Sequence, residues 1–215
     1  MMRQRRESRR SGNGAGFTAL EMVIVLSIIV MISGVVLVSF PPLSERINIQ
    51  RSSRGLGLTL RKTQAMALAG REVWDDNPPG PPAFKTPPAF GVYFSVNSSC
   101  PGWSSNSYFI FADVFPVGNP DGKYDCIGQG GAKDIVVETI QLEPTVSFQK
   151  FTVDTGTPNQ RDENTIHIAF SVPEGDTTIQ DGNPQPQAVE IYIIGANGVF
   201  KRSVVVLTTG LIHVK

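Results

Sequence analysis

One long uncharged stretch near the N-terminus limits what this chain can fold into. Residues 17–40 carry a single ionisable side chain, the carboxylate of Glu21. The run from Met22 to Phe40 is close to the roughly 20 residues that a helix needs to cross the hydrocarbon layer of a bilayer. An ionised side chain near the bilayer centre costs about 2.5 to 3.5 kcal/mol even on the lenient insertion scale. Glu21 therefore needs a cationic partner, and this stretch contains no Lys or Arg.

The segment before this stretch, residues 1–16, is basic and ends in small residues. It contains five arginines against one acid and closes with the sequence Gly12-Asn13-Gly14-Ala15-Gly16. A secretory signal peptide also begins with positive charge, but its apolar core is about 7 to 15 residues long and its small-residue cleavage site follows that core. Here the small residues precede a longer apolar run. We therefore expect the helix to stay in the membrane, as it also would in an ordinary signal anchor.

The junction between these two segments resembles a known processing signal. The class III signal of type IV pilins and type II secretion pseudopilins is similar to the sequence Gly16-Phe17-Thr18-Ala19-Leu20-Glu21 and its apolar continuation. In that family a membrane peptidase cleaves after the glycine and methylates the new N-terminal phenylalanine. The resemblance implies Gly16 as the last leader residue and Phe17 as an N-methylated N-terminus. Two details depart from the family pattern: Ala19 replaces a larger aliphatic residue, and Pro41-Pro42 lies later than the usual helix-bending proline.

The same resemblance gives Glu21 a partner. Cleavage would create an amine at Phe17, which could pair with Glu21 of the same chain or of a neighbouring subunit and set the register of assembly. The charges that flank the helix do not decide its orientation, because both flanks carry the same excess of Lys and Arg over acids. The resemblance implies a cytoplasmic leader, a single pass through the inner membrane and a C-terminal domain that is periplasmic or extracytoplasmic.

Beyond the membrane span, residues 41–71 are predicted to continue as an amphipathic helix. Four residues at helical spacing define one face, and two earlier residues are expected to extend it: Leu56, Leu60, Thr63 and Ala67, then Leu43 and Ile47. This face is expected to lie on a sheet. Gly55 and Gly57 predict a softened or kinked middle, because a glycine costs about 1 kcal/mol relative to alanine in a helix interior.

Residues 72–88 are predicted to form a proline-rich loop. Prolines between 77 and 88 remove amide donors and fix the backbone φ angle, which excludes a helix or a central strand. We expect a surface connection with polyproline character, in preference to a ligand for a proline-binding module.

Residues 89–215 are predicted to form a β-rich domain. Eight short segments rich in β-branched and aromatic residues lie between turn residues: 89–96, 108–112, 134–142, 146–153, 165–172, 188–194, 199–207 and 211–214. Ala196-Asn197-Gly198 is predicted to form a hairpin turn between two of them. The expected fold class is α+β with antiparallel strands. A long N-terminal helix followed by such a domain is the type IV pilin-like fold that the resemblance implies.

Within that family, the chain most resembles the GspH/FimT-type minor pseudopilins. The supporting segments are Arg54–Arg71 with its Arg-Lys-Thr-Gln-Ala-Met-Ala-Leu-Ala core, Tyr108–Asp113, and Lys201–Val206 before Thr209-Gly210. These matches are looser than the match at the N-terminal signal.

Cysteines and histidines offer little chemistry. Cys100 and Cys126 are the only cysteines, and both lie in turn-rich sequence. A disulfide can persist in an exported domain, and we favour one here over two free thiols. Two cysteines with no histidine nearby make a poor zinc site. His167 and His213 lie in different predicted strands, where we expect structural or exposed histidines rather than catalytic bases.

The segment from Asp113 to Asp125 is rich in oxygen ligands. Asp113, Asn119, Asp121 and Asp125 could bind Ca²⁺, the metal bound by the major pseudopilins of some secretion systems. The segment lacks the ordered alternation and the terminal bidentate glutamate of an EF-hand loop. We favour the alternative of a polar turn with Asp121-Gly122 at its tip. No other cofactor is expected.

Neither catalysis nor nucleic-acid binding is indicated. The sequence contains no Gly-rich phosphate loop after a strand, no nucleophile elbow and no defensible pair of catalytic carboxylates, so we do not expect an enzyme. The chain balances 19 basic and 19 acidic residues, and the part after residue 16 is mildly acidic. Residues 209–215 contain one certain cation, Lys215, whereas the DNA-binding examples on the FimT side of the family that the chain resembles have a basic C-terminal tail.

The expected function is therefore assembly. By resemblance, the chain is a structural minor pseudopilin of a type II secretion or related type IV filament machine. Its expected partners are other pseudopilin or pilin subunits, the prepilin peptidase, an inner-membrane assembly platform and membrane lipid. Two alternatives stay open: a minor type IV pilin for adhesion or DNA uptake, and a membrane-anchored protein that merely imitates a prepilin signal.

Overall fold

A computed structural model describes residues 17–75, 82–97, 100, 103–114, 121–126, 133–156, 160–180 and 186–215, with only the backbone described at 38–42. The predicted leader, including Gly16, and Asn119 lie outside these residues. The chain divides into two compact units, Met1–Pro42 and Leu43–Lys215, and each is described by itself.

One helix, α1, spans Ala19–Leu68 and covers most of the two consecutive segments, 17–40 and 41–71, that the sequence predicted to be helical. In the first unit it contains the one segment of the described chain that is long and apolar enough to cross a membrane, Ala19–Leu37, with a mean hydropathy of 2.7. All side chains described from 17 to 37 are exposed. Nothing in the described part of this unit therefore covers the apolar surface of the helix.

In the second unit, α1 buries one face. Leu56, Leu60, Thr63 and Ala67 are all fully buried, which confirms the predicted face. The predicted extension through Leu43 and Ile47 is wrong: these side chains are 54% and 40% exposed. At 3.6 residues per turn, Ile47 lies about half a turn around the helix from Leu56. The face continues instead through two other residues of α1, Ile49 and Glu45.

Gly57 has a packing reason that the sequence did not reveal. A Cβ atom at this position would lie 3.0 Å from Cγ2 of Val214, whereas a Cβ atom at Gly55 would have no neighbour within 4 Å. The helix backbone therefore approaches the C-terminal strand closely at Gly57. The predicted softening of the helix at these glycines stays a prediction.

The rest of the second unit is built from twelve described strands. In chain order they are β1 Val73–Asp75, β2 Ala83–Lys85, β3 Ala89–Ser95, β4 Ser107–Asp113, β5 Ile135–Gln141, β6 Val146–Asp154, β7 Arg161–Glu163, β8 Thr165–Ser171, β9 Thr177–Gln180, β10 Ala188–Gly195, β11 Lys201–Leu207 and β12 Ile212–Val214. All their pairings are antiparallel. With α1, this makes the fold α+β.

The strands form two five-stranded sheets and a two-stranded ribbon. Sheet A has the order β5-β4-β3-β8-β9, and sheet B has the order β12-β11-β10-β6-β7. The ribbon pairs β1 with β2 inside the segment 72–88, so this segment is not loop throughout as predicted. Residues 76–81 of that segment lie outside the described chain. All eight predicted strands are confirmed with small shifts at their ends, and Ala196-Asn197-Gly198 lies between β10 and β11 as predicted.

The two sheets share one apolar core with the buried face of α1. Phe94 of sheet A packs against Phe148 and Phe151 of sheet B, with ring centroids 5.6 and 6.2 Å apart. Buried and less buried residues alternate along β10, as expected for a strand with one covered face. By contrast, β3 and β4 are buried at every position, so both faces of sheet A are covered there.

The second covered face of sheet A carries a small aromatic cluster. Phe109 stacks on Tyr93 and meets Tyr124 edge to face, with ring centroids 4.9 and 4.6 Å apart. Trp103 and Tyr124 come from the connections on either side of β4 and pack on this face. These connections also contain Cys100, Cys126, Asp121 and Asp125, whereas Asp113 is the last residue of β4.

Candidate functional site

Glu21 lies in the first turn of α1, and the residues before it begin the helix. The backbone N–H of Glu21 donates a hydrogen bond to Oγ1 of Thr18 at 3.2 Å. Thr18 and Glu21 have the Thr-x-x-Glu spacing of a capping box, in which the hydroxyl satisfies an otherwise unpaired amide of the first turn. A carboxylate is also favoured there by the helix dipole. Glu21 therefore contributes locally to the start of the helix, a role that the sequence analysis missed although its spacing was visible.

The Glu21 carboxylate has no partner among the residues that the structure describes. Its side chain is exposed, and no described ion pair or side-chain hydrogen bond involves its oxygens. Another polar side chain of this unit is satisfied within the helix, because Oγ of Ser27 donates to the carbonyl oxygen of Val23 at 2.8 Å. The carboxylate of Glu21 is therefore left without a described partner on an apolar helix.

Phe17 lies two residues before the helix and is 74% exposed. It is therefore accessible in the described chain. The other side of the predicted cleavage junction, Gly16, lies outside the described residues. Cleavage between the two and methylation of Phe17 stay predictions.

Cys100 and Cys126 are joined by a disulfide, with Cα atoms 5.7 Å apart. The bond links the connection that follows β3 to the connection that precedes β5. The carbonyl oxygen of Cys100 also accepts a hydrogen bond from the backbone N–H of Trp103 at 3.3 Å. The disulfide therefore anchors the segment that carries Trp103 over the aromatic cluster of sheet A.

The aspartates around this disulfide organise loops through backbone amides. Oδ2 of Asp113 accepts from the N–H of Gly122 at 2.8 Å, and Oδ1 of Asp121 accepts from the N–H of Lys123 at 2.8 Å. Asp134, which the sequence analysis did not single out, accepts from the N–H of Asp125 at 2.7 Å through Oδ2. These contacts are those of a hydrogen-bonded polar turn.

Asp113 is fully buried, and its environment favours the protonated form. Burial is the main reason that the pKa of its carboxyl is raised to about 7. The amide of Gly122 opposes the rise, while the nearby charges of Asp134, Asp121 and Asp125 add to it. Its Oδ1 atom has no hydrogen-bond partner among the described residues.

The described residues contain no group of three or more His, Cys, Asp or Glu side chains arranged to bind a metal ion. Asp113, Asp121 and Asp125 each lie close enough to influence one another electrostatically, but they are not gathered around a common point. Asn119, the fourth predicted ligand, lies outside the described chain. Calcium binding at this segment stays a prediction.

The two histidines have different surroundings. Nδ1 of His167 accepts a hydrogen bond from the backbone N–H of Tyr124 at 2.8 Å, and its ring packs on Tyr93 at 5.0 Å. Burial, with a smaller contribution from Lys123, lowers the pKa of His167 to about 4. His213 is exposed on β12.

A buried carboxylate on α1, Glu45, was also missed by the sequence analysis. Glu45 is 4% exposed, and its two oxygens accept from the backbone N–H of Asn197 at 2.9 Å and from its Nδ2 at 2.8 Å. A Cβ atom at Gly195 would overlap this carboxylate, so the glycine is required for the contact. Glu45 thus fixes α1 to the β10–β11 turn. Its spacing of four residues from Ile49 on the buried face was the signal that could have indicated burial.

The structure therefore contains two separate places of interest: the start of α1 in the first unit, and the loops and turns around the sheets in the second. Comparison of the chain with protein-family models, with curated protein sequences and with solved structures finds no match.

Proposed function

We propose that this chain is a minor subunit of a type IV filament, of the type II secretion pseudopilin kind, with a type IV pilin-like fold. It is cleaved after Gly16 and methylated on Phe17 before assembly. The observation that carries the proposal is the single carboxylate of Glu21, which has no described partner on a helix whose described apolar side chains are all exposed up to Leu37. The prepilin-like residues around Glu21 support it.

Two physical requirements lead from this helix to assembly. Its apolar surface must be covered either by lipid or by other helices, since exposed apolar area is unfavourable in water. The Glu21 charge must be paired, because an unpaired ion is costly in an apolar environment. A filament core of packed helices meets both requirements when the Phe17 amine of the same or a neighbouring subunit binds Glu21.

The proposal also assigns a location and partners. Before assembly, the processed subunit resides in the inner membrane with residues 43–215 on the periplasmic or extracytoplasmic side. Its partners are the prepilin peptidase, an assembly platform in the inner membrane and other pseudopilin subunits.

The cleavage step is tested by mass spectrometry of the full chain, extracted from membranes of cells that contain an active prepilin peptidase. We expect Phe17 at the N-terminus with one added methyl group. Cells without the peptidase should give the uncleaved chain. Residues 1–16 retained in peptidase-containing cells would contradict the proposal and would favour an ordinary membrane anchor.

The role of Glu21 is tested by Glu21→Ala, with Ser27→Ala as the matched control on the same helix. Glu21→Ala should be cleaved and methylated normally but should enter sheared filaments at least about tenfold less than the native chain, because the charge that sets the register is lost. Ser27→Ala removes a hydroxyl already satisfied by Val23 and should assemble normally. Equal incorporation of the two variants would exclude Glu21 as the register residue.

The alternative of a minor pilin for DNA uptake has a separate test. The one certain cation of the C-terminal residues, Lys215, lies 3.2 Å from Oε1 of Glu190, so part of its charge is compensated. We therefore favour the secretion subunit. A salt-dependent mobility shift of short duplex DNA by the full chain in neutral detergent would support the uptake pilin instead.

A further inference from the structure

A cleft on the second unit brings three cations together over apolar side chains. It has a volume of about 350 Å³ and is lined by Arg46 and Ile49 of α1 and by Phe200, Lys201 and Arg202 at the start of β11. This volume is at the lower end of the range for small-molecule sites, roughly 300 to 1,000 Å³. The cleft lies between α1 and the β10–β11 hairpin, which are held together by the hydrogen bonds from Asn197 to Glu45.

The cations of this cleft are not neutralised within the described chain. Arg46, Lys201 and Arg202 are exposed and take part in none of its ion pairs. Other described cations do form ion pairs with carboxylates: Lys62, Lys85, Lys150, Arg161 and Lys215. Glu45, the residue before Arg46 in the chain, does not line the cleft, and both its oxygens accept hydrogen bonds from Asn197. The cleft therefore keeps an excess of positive charge that suits an anion.

The apolar side chains that line the cleft indicate which class of anion it binds. Ile49 lines the cleft but is already 1% exposed, whereas Phe200 is only partly buried against the core and keeps exposed apolar surface. An inorganic ion would use the cations alone, whereas an anionic amphiphile would also cover this apolar surface. Arginine binds phosphate oxygens in pairs through its planar guanidinium group, and lysine adds a point charge. A phosphodiester with an attached glycerol matches both features.

Arg46 is close in sequence to the candidate membrane span, and a membrane contains ligands of this kind. Only a short stretch of chain separates Arg46 from Leu37, the last residue of the candidate membrane span. Under the proposed function this short tether limits how far Arg46 can lie from the membrane. Tethering raises the effective concentration of lipid headgroups and strengthens a contact that would be weak in solution.

We propose that Arg46, Lys201 and Arg202 bind the phosphodiester headgroup of an anionic phospholipid, with Phe200 covering its glycerol backbone. The site goes beyond filament assembly, because it gives the second unit its own contact with lipid. It rests on the proposed function only for the presence of a membrane.

The test measures lipid retention by the full chain in an uncharged detergent. Phosphatidylglycerol or phosphatidylcholine is added, and bound lipid is counted by native mass spectrometry. The variant Arg46→Gln/Lys201→Gln/Arg202→Gln removes the three cations. The control Arg51→Gln/Arg54→Gln/Arg71→Gln removes three exposed cations outside the cleft, so the two variants have the same net charge. The double variant Lys201→Gln/Arg202→Gln leaves α1 unchanged.

We expect the native chain to retain phosphatidylglycerol in preference to phosphatidylcholine. The triple cleft variant should lose at least about tenfold in affinity for phosphatidylglycerol, the double variant should lose an intermediate amount, and the control should stay within about twofold. Circular dichroism should show that all variants are folded.

Three results would overturn the proposal. An equal loss in the cleft variant and the control would indicate diffuse electrostatic attraction. Displacement of phosphatidylglycerol by inorganic phosphate at millimolar concentration would identify a site for free phosphate. Equal retention of phosphatidylcholine would remove the role of the anionic headgroup. Each readout is independent of cleavage at Gly16 and Phe17, so failure of the filament proposal would be recognised separately.

Discussion

At the scale of single residues, two titratable side chains of sheet A, Asp113 and His167, depend on pH in opposite ways in their effects on stability. The pKa of Asp113 is raised to about 7, mainly by burial, so the folded chain holds a proton there that the unfolded chain loses above its ordinary pKa of 3.8. The pKa of His167 is lowered to about 4, also by burial, so the unfolded chain binds a proton first as the pH falls below 6.5. Asp113 therefore weakens the fold as the pH rises from 4 to 7, and His167 weakens it as the pH falls from 6.5 to 4.

Asp113→Asn should remove the first of these effects. The amide keeps an oxygen that can accept from Gly122 but does not ionise, so the variant should be more stable than the native chain at pH 8 by roughly 2 to 4 kcal/mol. The difference should nearly vanish at pH 4. Thermal unfolding of the full chain, followed by near-UV circular dichroism across this range, measures it.

Asp162→Asn is the control for this prediction. Hydrogen bonds from Lys150 and Thr152 lower the pKa of this exposed carboxyl, so its replacement should weaken the fold at pH 8 and have less effect in acid. Both variants retain His167, whose contribution cancels in each comparison. A stability difference for Asp113→Asn that is the same at pH 4 and pH 8 would show that the pKa of Asp113 is not raised in the folded chain.

At the scale of elements, the spacing of apolar residues identifies one part of the buried face of α1 and misses another part. Leu56, Leu60 and their helical neighbours were identified from spacing alone, because a 3.6-residue repeat of apolar residues selects one face. The earlier part of that face was assigned to Leu43 and Ile47, since the residue that actually occupies it is the charged Glu45. Burial of Glu45 depends on two hydrogen bonds from Asn197, a residue more than 150 positions away. Local sequence contains no information on such a partner.

The two glycines of α1 give a paired test of helix packing. Gly57→Leu should destabilise the second unit by about 1 to 3 kcal/mol, because the new side chain must displace Val214. Gly55→Leu places the same side chain where a Cβ atom meets no neighbour, and it should be neutral or stabilising by up to about 1 kcal/mol through helix propensity. Thermal unfolding of the full chain, read by far-UV circular dichroism, compares them. Equal effects of the two substitutions would mean that α1 does not contact β12 at Gly57.

At the scale of the whole molecule, several strands are defined by the strands they pair with and not by a pattern in their own sequence. The missed strands β1, β2, β7 and β9 are three or four residues long, too short to show a period of two. Each is formed by hydrogen bonds to a neighbouring strand. The covering of sheet A on both faces likewise depends on connections that fold back over β3 and β4, held by the bond between Cys100 and Cys126.

Removal of this disulfide should weaken the fold as a whole. Cys100→Ser/Cys126→Ser should lower the free energy of unfolding by about 3 kcal/mol. The two cysteines are 26 residues apart, and without the bond the unfolded chain regains the conformational freedom of the loop between them. Reductant should lower the unfolding temperature of the native chain and leave that of the double variant unchanged. Unfolding followed by tryptophan fluorescence measures both. A native chain insensitive to reductant under unfolding conditions would contradict a stabilising disulfide.

The sequence by itself determined the membrane-length helix, the isolation of Glu21 within it, the buried face from Leu56 to Ala67 and eight of the strands. Each of these depends on composition or on spacing within one element, so neighbouring residues suffice to define it. Only the tertiary structure decided the strand order of the two sheets, the burial of Glu45 against Asn197, the raised pKa of Asp113 and the cationic cleft beside β11. These features join residues far apart in the chain, and their energies depend on which groups meet once the core has excluded water.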